Sequence, residues 1–431
     1  MKKSITIITM PLILLCICFF GKNVSAKVNY TISPKTTKSY AKERYFSYVN
    51  KYNKDYLGFN ACLEKMRKKG GGTLVVKNGT YRITNAICVP SNITIIFQKG
   101  AKFKKTTKTA KGQPKAAQSM WQIVPKKKSE KKNCVGKYNG SHNVKMIAKG
   151  KVTFDMNNVK GMCIVIAHAK KIEIKGITFT RPNGGHGIEI SGSKNIKIHH
   201  SKFKKSNKKT RAKYYNKEAI NIDAPDKKTH GLPLEWAKQD LTPSVNISIY
   251  RNKFSGTNRG VGTHKYSKKH GNSVYHKNIK ITNNIFKNIY DNGIFVMSWK
   301  NTTIENNKFS NIGNKSEEYY SSGSHAITGG GVKGIKIQEN TFTRIARCPI
   351  YFCVQQNTGP GSLYSSVRVK ISDKQILMMA NNKAKKCGSD ISYMYGKYDA
   401  LMFRGDSERN SRNAVGVKFG RKKIHRGSWE E

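Results

Sequence analysis

The sequence predicts an all-β chain, a right-handed parallel β-helix with an N-terminal capping helix. Three observations carry that prediction. The first is a repeated unit. KIEIKGITF (171–179), NIKIHHSKF (195–203), NISIYRNKF (246–254), NIKITNNIF (278–286), TTIENNKF (302–309) and GIKIQENTF (334–342) each alternate polar and apolar residues, turn, and end on Phe. These phenylalanines are 24, 51, 32, 23 and 33 residues apart. The short spacings fit one coil of a parallel β-helix and the long ones a coil with an inserted loop. The second is a further strand ahead of most units, as in MCIVI (162–166), HGIEI (186–190), EAINID (218–223), RGVGTH (259–264) and NGIFVM (292–297), so each coil has at least two strands. The third is an absence: neither helix periodicity nor the two-residue hairpins of an antiparallel meander mark residues 140–355.

In chain order, residues 1–26 read as a secretory signal peptide. Lys2 and Lys3 precede an apolar run over 5–20, and Val24-Ser25-Ala26 is a small-residue cleavage site, so the mature chain starts near Lys27. The alternative is an uncleaved anchor, for which the run is short; no other stretch suits a bilayer span. Residues 27–54 are expected as a linker, and 55–403 as one β-helix domain. Phe59, Cys62, Leu63 and Met66 fall at helical spacing within 58–72, where a helix would cover the open end of the coil stack. TLVVKNGTYRI (73–83) and NITIIFQKGAKF (92–103) begin the coils, and KKTTKTAKGQPK within 104–141 reads as a loop. Within the repeat, Ile196 and Ile198, Ile247 and Ile249, and Ile279 and Ile281 face the core by strand alternation. Asn252, Asn284, Asn307 and Asn340 each stand two residues before the repeat Phe. There Asn tolerates a left-handed turn, and the stacked amides can bond along the helix axis. Residues 366–403 are expected as a last coil and cap, and 404–431 as a basic, poorly patterned tail.

From 55 to 355 the chain resembles the pectin-lyase-like superfamily, on the order helix, GGGTLVV, NGTY, NITIIF, GA. That scaffold implies the fold and leaves the reaction open, since it carries hydrolases, lyases, epimerases and adhesins. Polygalacturonases carry N-T-D, D-D, G-H-G and R-I-K in that order. Here Gly185-His186-Gly187 comes first, and neither an Asp-Asp pair nor a following R-I-K occurs. The paired aspartates of calcium pectate lyases are not evident either. GGHGIEI, KEAINID and RGVGTH are more similar to a group of secreted bacterial β-helix proteins, and that resemblance marks His186, Glu218, Asp223, Arg259 and His264.

The residues themselves point to the same place. With Ile188, Ile220 and Val261 at one level, His186, Glu218 and Arg259 form one column of adjacent coils. Glu189, Asn221 and Gly262 form a second, and Ser191, Asp223 and His264 a third. Coils about 4.8 Å apart bring these groups together, and acids are scarce in this chain. Glu218, Asp223, His264, Arg259 and His186 are therefore the candidate catalytic residues, with Glu189 and Asn221 as substrate-binding candidates. Trp236, Tyr266 and Trp299 join them as aromatic sugar platforms beside two loops, 224–243 and 265–277. Sugar hydrolysis needs two carboxyls; β-elimination needs a base and a cation to neutralise a uronate carboxylate. A plain Glu218–Arg259 ion pair holding two coils in register is the alternative reading of that column.

Lys and Arg total 81 against 24 acids, a formal net charge of +57. This excludes a neutral surface and points to a polyanionic partner or milieu. The expected function is a secreted carbohydrate-active enzyme cleaving a polysaccharide, anionic by charge, through hydrolysis or β-elimination. The alternative is a non-catalytic surface protein binding anionic cell-wall polymer or glycan, with electrostatic wall association. Specific nucleic-acid binding is disfavoured by export and by the lack of a recognition module. No cofactor is expected; calcium is conceivable, but no clear acidic cluster marks a site. Seven cysteines after residue 26 are scattered, with no C-x-x-C, so a zinc site is not expected.

Overall fold

The computed structural model describes residues 28–211, 213–313, 324–355, 357, 369–388, 398–405 and 411–427. The expected signal peptide at 1–26 lies outside them. The described chain winds as a right-handed parallel β-helix, and each full coil has three faces. The first face includes Lys194–His199, Val245–Tyr250, His276–Thr282 and Lys333–Gln338, paired in parallel to their neighbours one coil away. The second includes Lys202–Lys204, Lys253–Ser255 and Ile285–Ile289. The third runs from Ile87–Cys88 through Glu218–Asp223 to Ala400–Phe403 in one sheet. Parallel neighbours cannot be joined by hairpins, so every return to a face passes round the other two.

The core lies inside the coil. Ile196, Ile247 and Ile279 stack at one level and Ile198, Ile249 and Ile281 at the next. Phe179, Phe203, Phe254, Phe286, Phe309 and Phe342 form one stack of nearly parallel rings, with centroids 4.6 to 5.1 Å apart. The Phe periodicity is therefore the packing repeat of the fold.

The asparagine column is a hydrogen-bonded ladder. The Nδ2 of Asn252, Asn284, Asn307 and Asn340 donates to Oδ1 of the next Asn at 3.1, 3.0, 3.0 and 2.9 Å, ending on Asn382. The left-handed conformation belongs to the residue before each ladder position: Arg251, Asn283, Asn306 and Glu339 have φ of 54 to 58°. The ladder asparagines are thus kept for their amides, and the preceding residue makes the bend.

At the N-terminus, α2 (Lys54–Lys68) buries Phe59, Cys62, Leu63 and Met66, and Phe59 packs on Tyr81, Phe103 and Trp121. The expected linker is not a bare connector. Val28–Ile32 pairs with Gly72–Val76, and α1 (Thr37–Tyr45) is tied to α2 by the Thr37 hydroxyl donating to Asp55, 2.7 Å. Within 104–141, Ser119–Gln122 is a third-face strand paired with Met162–Ala167, and it carries Trp121 into the core. The tail is also ordered in part. Ala400–Phe403 pairs antiparallel with Ala414–Val417, which pairs antiparallel with Ile424–Arg426. Its short apolar run AVGV was masked in the sequence by the surrounding basic residues. No described helix is long and apolar enough to cross a membrane.

Candidate functional site

Third-face register follows from the inward isoleucines. Ile188, Ile220 and Val261 are partners, and so are Glu189, Asn221 and Gly262; Ser191 faces Asp223 and Glu218 faces Arg259. Strict alternation would send Glu218 into the core with Ile220. It does not, because Ala219 and Ile220 both belong to the core. The same break recurs at Gly187 and Gly260, where a Cβ would come within 3.2 Å of the Phe203 ring and 2.6 Å of the Phe286 ring. Two consecutive inward positions bring Glu218 and Asn221 out on the same side. This also accounts for Gly185-His186-Gly187: a Cβ on Gly185 would meet the Gly161 carbonyl oxygen at 2.0 Å, so both glycines serve packing.

The outward side chains form one network. Asn221 Nδ2 donates to Glu189 Oε2 at 2.8 Å and to Asp223 Oδ2 at 3.1 Å. The two carboxylates are therefore no further apart than those two bonds laid end to end. Arg259 Nη1 donates to Glu218 Oε1 at 3.2 Å and its Nε to Asp291 Oδ2 at 2.5 Å, while its guanidinium lies 4.1 Å from the Phe295 ring centroid. Glu218 Oε2 is 3.7 Å from Nδ1 of both His186 and His264. His186 Nδ1 donates to the Glu218 carbonyl oxygen at 2.8 Å, and His264 Nδ1 to that of Asn216 at 3.1 Å. His264 Nε2 is thereby left to accept from the Lys217 ammonium, 3.0 Å away. Gly262 keeps the floor open, since a Cβ there would stand 3.2 Å from Glu218 Cγ.

Burial dominates the electrostatics. Glu189, Glu218, Asn221 and Asp223 are at most 2% exposed; Lys217, His264 and Lys265 are partly buried and form the solvent side. Burial, then the neighbouring Asp223 charge, raises the Glu189 carboxyl well above its ordinary range. Asp223 is pushed up to about 7, again by burial first. Burial raises Glu218 against the pull of Arg259 and Lys217. It lowers His186 to about 3 and His264 well below its ordinary value, with Lys217 adding to both. Burial lowers Lys217 and Lys265 as well. For Arg259 burial opposes the charge, but Asp291 and Glu218 outweigh it and raise the pKa. At neutral pH the histidines are uncharged, Asp223 sits near its midpoint, and Glu189 is shifted toward its protonated form. Glu189 Oε1, Glu218 Oε2, Asn221 Oδ1 and Ser191 Oγ are buried without a hydrogen-bond partner among the described residues. Such orphaned acceptors and donors are uncommon in a purely structural network.

The structure thus gathers His186, Glu189, Glu218, Asn221, Asp223, Arg259 and His264. It does not bring the aromatic candidates to them. Trp236 is buried among Val124, Val165 and Leu232, with Nε1 donating to Gln122 Oε1 at 2.9 Å. Tyr266 is buried against Phe295 and Met297. Trp299 is a core residue whose Nε1 donates to Thr263 Oγ1 at 2.6 Å. Each anchors a loop or strand by its apolar face, so none offers a ring to a sugar. Sequence reasoning missed Lys217, Lys265 and Asp291. Lys217 adjoins Glu218, and Asp291 lies one residue ahead of the NGIFVM strand, opposite Asn258 in the coil before. Among the described residues no group of three or more His, Cys, Asp or Glu is arranged to hold a metal ion. A cavity of 20 Å³ borders Glu218 and Lys217, room for a water molecule.

Residues 142–342 match a family model described as right handed beta helix region. Plasmin and fibronectin-binding protein A of Streptococcus pneumoniae is 28% identical over 181 residues, 40% of this chain and 24% of that protein. The chain thus spans about a quarter of the length of that curated relative. A solved structure of the S. pneumoniae surface protein and adhesin PfbA superposes with a TM-score of 0.56 at 18% identity, covering 83% of this chain and 86% of that one. A second PfbA structure gives 0.53 at 17%, covering 77% and 80%. The family 28 exopolygalacturonase of Yersinia enterocolitica gives 0.50 at 12%, covering 81% and 65%. At these identities the similarity is one of fold. The resemblance to pectin-lyase-like right-handed β-helix proteins holds at that level, and the fold hosts both enzymes and an adhesin.

Proposed function

We propose that the chain cleaves an anionic polysaccharide outside the cell, with Asp223 and Glu189 as its base and acid. The observation that carries this reading is the pair of buried carboxyls bonded to one Asn221 amide, each favoured in its protonated form by burial. Their separation is shorter than the roughly 6.5–9.5 Å that leaves room for water in inverting hydrolysis. With inverting hydrolysis disfavoured, the cations at Lys217 and Lys265 favour β-elimination on a uronate over a retaining hydrolysis. Asp223 removes the proton beside the uronate carboxylate, the glycosidic C–O bond breaks as the ring double bond forms, and Glu189 protonates the departing oxygen. Lys217 and Lys265 supply cations for the uronate carboxylate, and His264 sets the position of Lys217. Glu218 and Arg259 act as a positioning pair beneath them. Substrate enters from the Lys217–His264–Lys265 side, displacing the 265–277 loop whose Lys265 N–H reaches Asp223 at 3.4 Å.

The test is turnover on polygalacturonate, alginate and hyaluronan, followed by unsaturated-product absorbance and by new reducing ends. Absorbance that disappears in Glu189→Gln and Asp223→Asn supports the proposal. Reducing ends without absorbance redirect it to hydrolysis, and no turnover on any substrate overturns it. A second reading, a non-catalytic surface protein binding anionic polymer, draws support from the burial of Glu218 and Asp223 and the similarity to the adhesin. It expects binding without turnover.

A further inference from the structure

We propose that the corner between the third and first faces is a binding groove for a linear anionic polysaccharide carrying one acidic group per sugar. The site is separate from the acid–base cluster and does not depend on it. Six lysines mark the corner: Lys170, Lys194, Lys277, Lys300, Lys333 and Lys370 occupy one register position in successive coils, interrupted by Val245. None has an ion-pair partner among the described residues. The residue after most of them is left-handed: Lys171, Asn195, Asn278, Asn301 and Gly334 have φ between 57 and 73°, or 55° at Asn301. The bend therefore recurs with the coil and presents the preceding lysine at the same corner each time.

Like charges directly opposite one another across strands are destabilising, so the unbroken run Lys277, Lys300, Lys333 and Lys370 requires a reason. A general preference for lysine does not supply it. On the neighbouring first-face column the chain reads Glu173, Lys197, Ser248, Lys280, Thr303 and Lys336, alternating charge with neutral or acidic residues. At the corner it does not alternate. The corner is also concave: a groove of 680 Å³ is lined by Lys277, Lys300 and Lys333 together with Lys137, Tyr138, Lys269 and Tyr275. The one carboxylate among its described lining residues, Asp240, is engaged by backbone, accepting from the Lys137 and Thr242 N–H groups at 2.7 and 3.1 Å. Cations recurring at the coil spacing of about 4.8 Å match an extended glycan with an acid on every sugar, and the two tyrosines offer partly exposed rings to its apolar ring faces.

The experiment titrates fluorescently labelled oligogalacturonate into the full chain at low and physiological ionic strength. Two triple variants of equal charge are compared: Lys277→Gln/Lys300→Gln/Lys333→Gln in the groove, and Lys202→Gln/Lys253→Gln/Lys308→Gln on the second face. The groove variant is expected to lose affinity by about 10- to 100-fold and the second-face variant by less than about threefold. Equal loss in both triple variants would show that net charge alone drives binding and would overturn the groove. So would single-stranded DNA of matched charge competing as well as the oligogalacturonate.

Discussion

Replacing Asp223 with Asn tests the charge state of the site without any substrate. The side chain keeps its shape and, like the protonated carboxyl, offers one carbonyl oxygen, which can accept from Asn221 Nδ2 or from the Lys265 N–H but not from both. In the unfolded chain the carboxyl titrates at its ordinary 3.8, and in the folded chain at about 7, because burial disfavours the anion. Below 3.8 both states carry the proton and the folded state is not penalised. Between 3.8 and about 7 the unfolded chain ionises first, so stability falls as pH rises. Above 7 both states are ionised and the penalty is complete, about 4 kcal/mol at most. The Asn variant cannot ionise. Its melting temperature should match the parent near pH 4 and exceed it by about 5 °C at pH 8, for a chain of this size. Thermal unfolding followed by circular dichroism from pH 4 to 9 reads the difference directly. A difference that stays flat across that range would refute the claim that the fold holds a proton on Asp223.

Two further outcomes follow from the geometry. Asn284→Ala removes amide bonds to Asn307 Oδ1 and the Ile249 and Thr282 carbonyls, and orphans the Asn252 donors; urea unfolding should show a loss of about 3 kcal/mol, and an unchanged midpoint would mean the ladder is ornamental. Glu218→Gln leaves the buried Arg259 paired with the Asp291 carboxylate and should cost about 3 kcal/mol at neutral pH, whereas a stabilised variant would show that desolvation outweighs the ion pair.

The fold was legible because its signal repeats. Any one alternating strand is ambiguous, but six units ending on Phe leave few architectures, and the Phe stack is the physical cause of the pattern. The columns of the site were legible for the same reason: once Ile188, Ile220 and Val261 are level, Glu189 must meet Asn221. What stayed hidden depends on local departures from the repeat. The paired inward positions at Ala219 and Ile220 decide that Glu218 faces out, and strict alternation gives the opposite answer. The burial of Trp236, Tyr266 and Trp299 depends on how loops fold back, which a loop sequence does not encode by periodicity. Asp291 was missed by one residue because the strand pattern starts after it. The bridging of Glu189 and Asp223 by one Asn221 amide crosses between columns and is visible only in three dimensions.

The reversed strands at the C-terminus bear on what two copies of this chain can do to each other. A coil stack is its own template: the last turn presents a row of open backbone groups that another turn, from any molecule, can continue. Here Ala400–Phe403 is followed by strands running the opposite way, with Arg421, Lys422 and Lys423 exposed on the connection between them. An incoming parallel coil meets the wrong bonding pattern and a cluster of positive charge. Head-to-tail growth into a filament is therefore blocked at this end by strand direction and by charge.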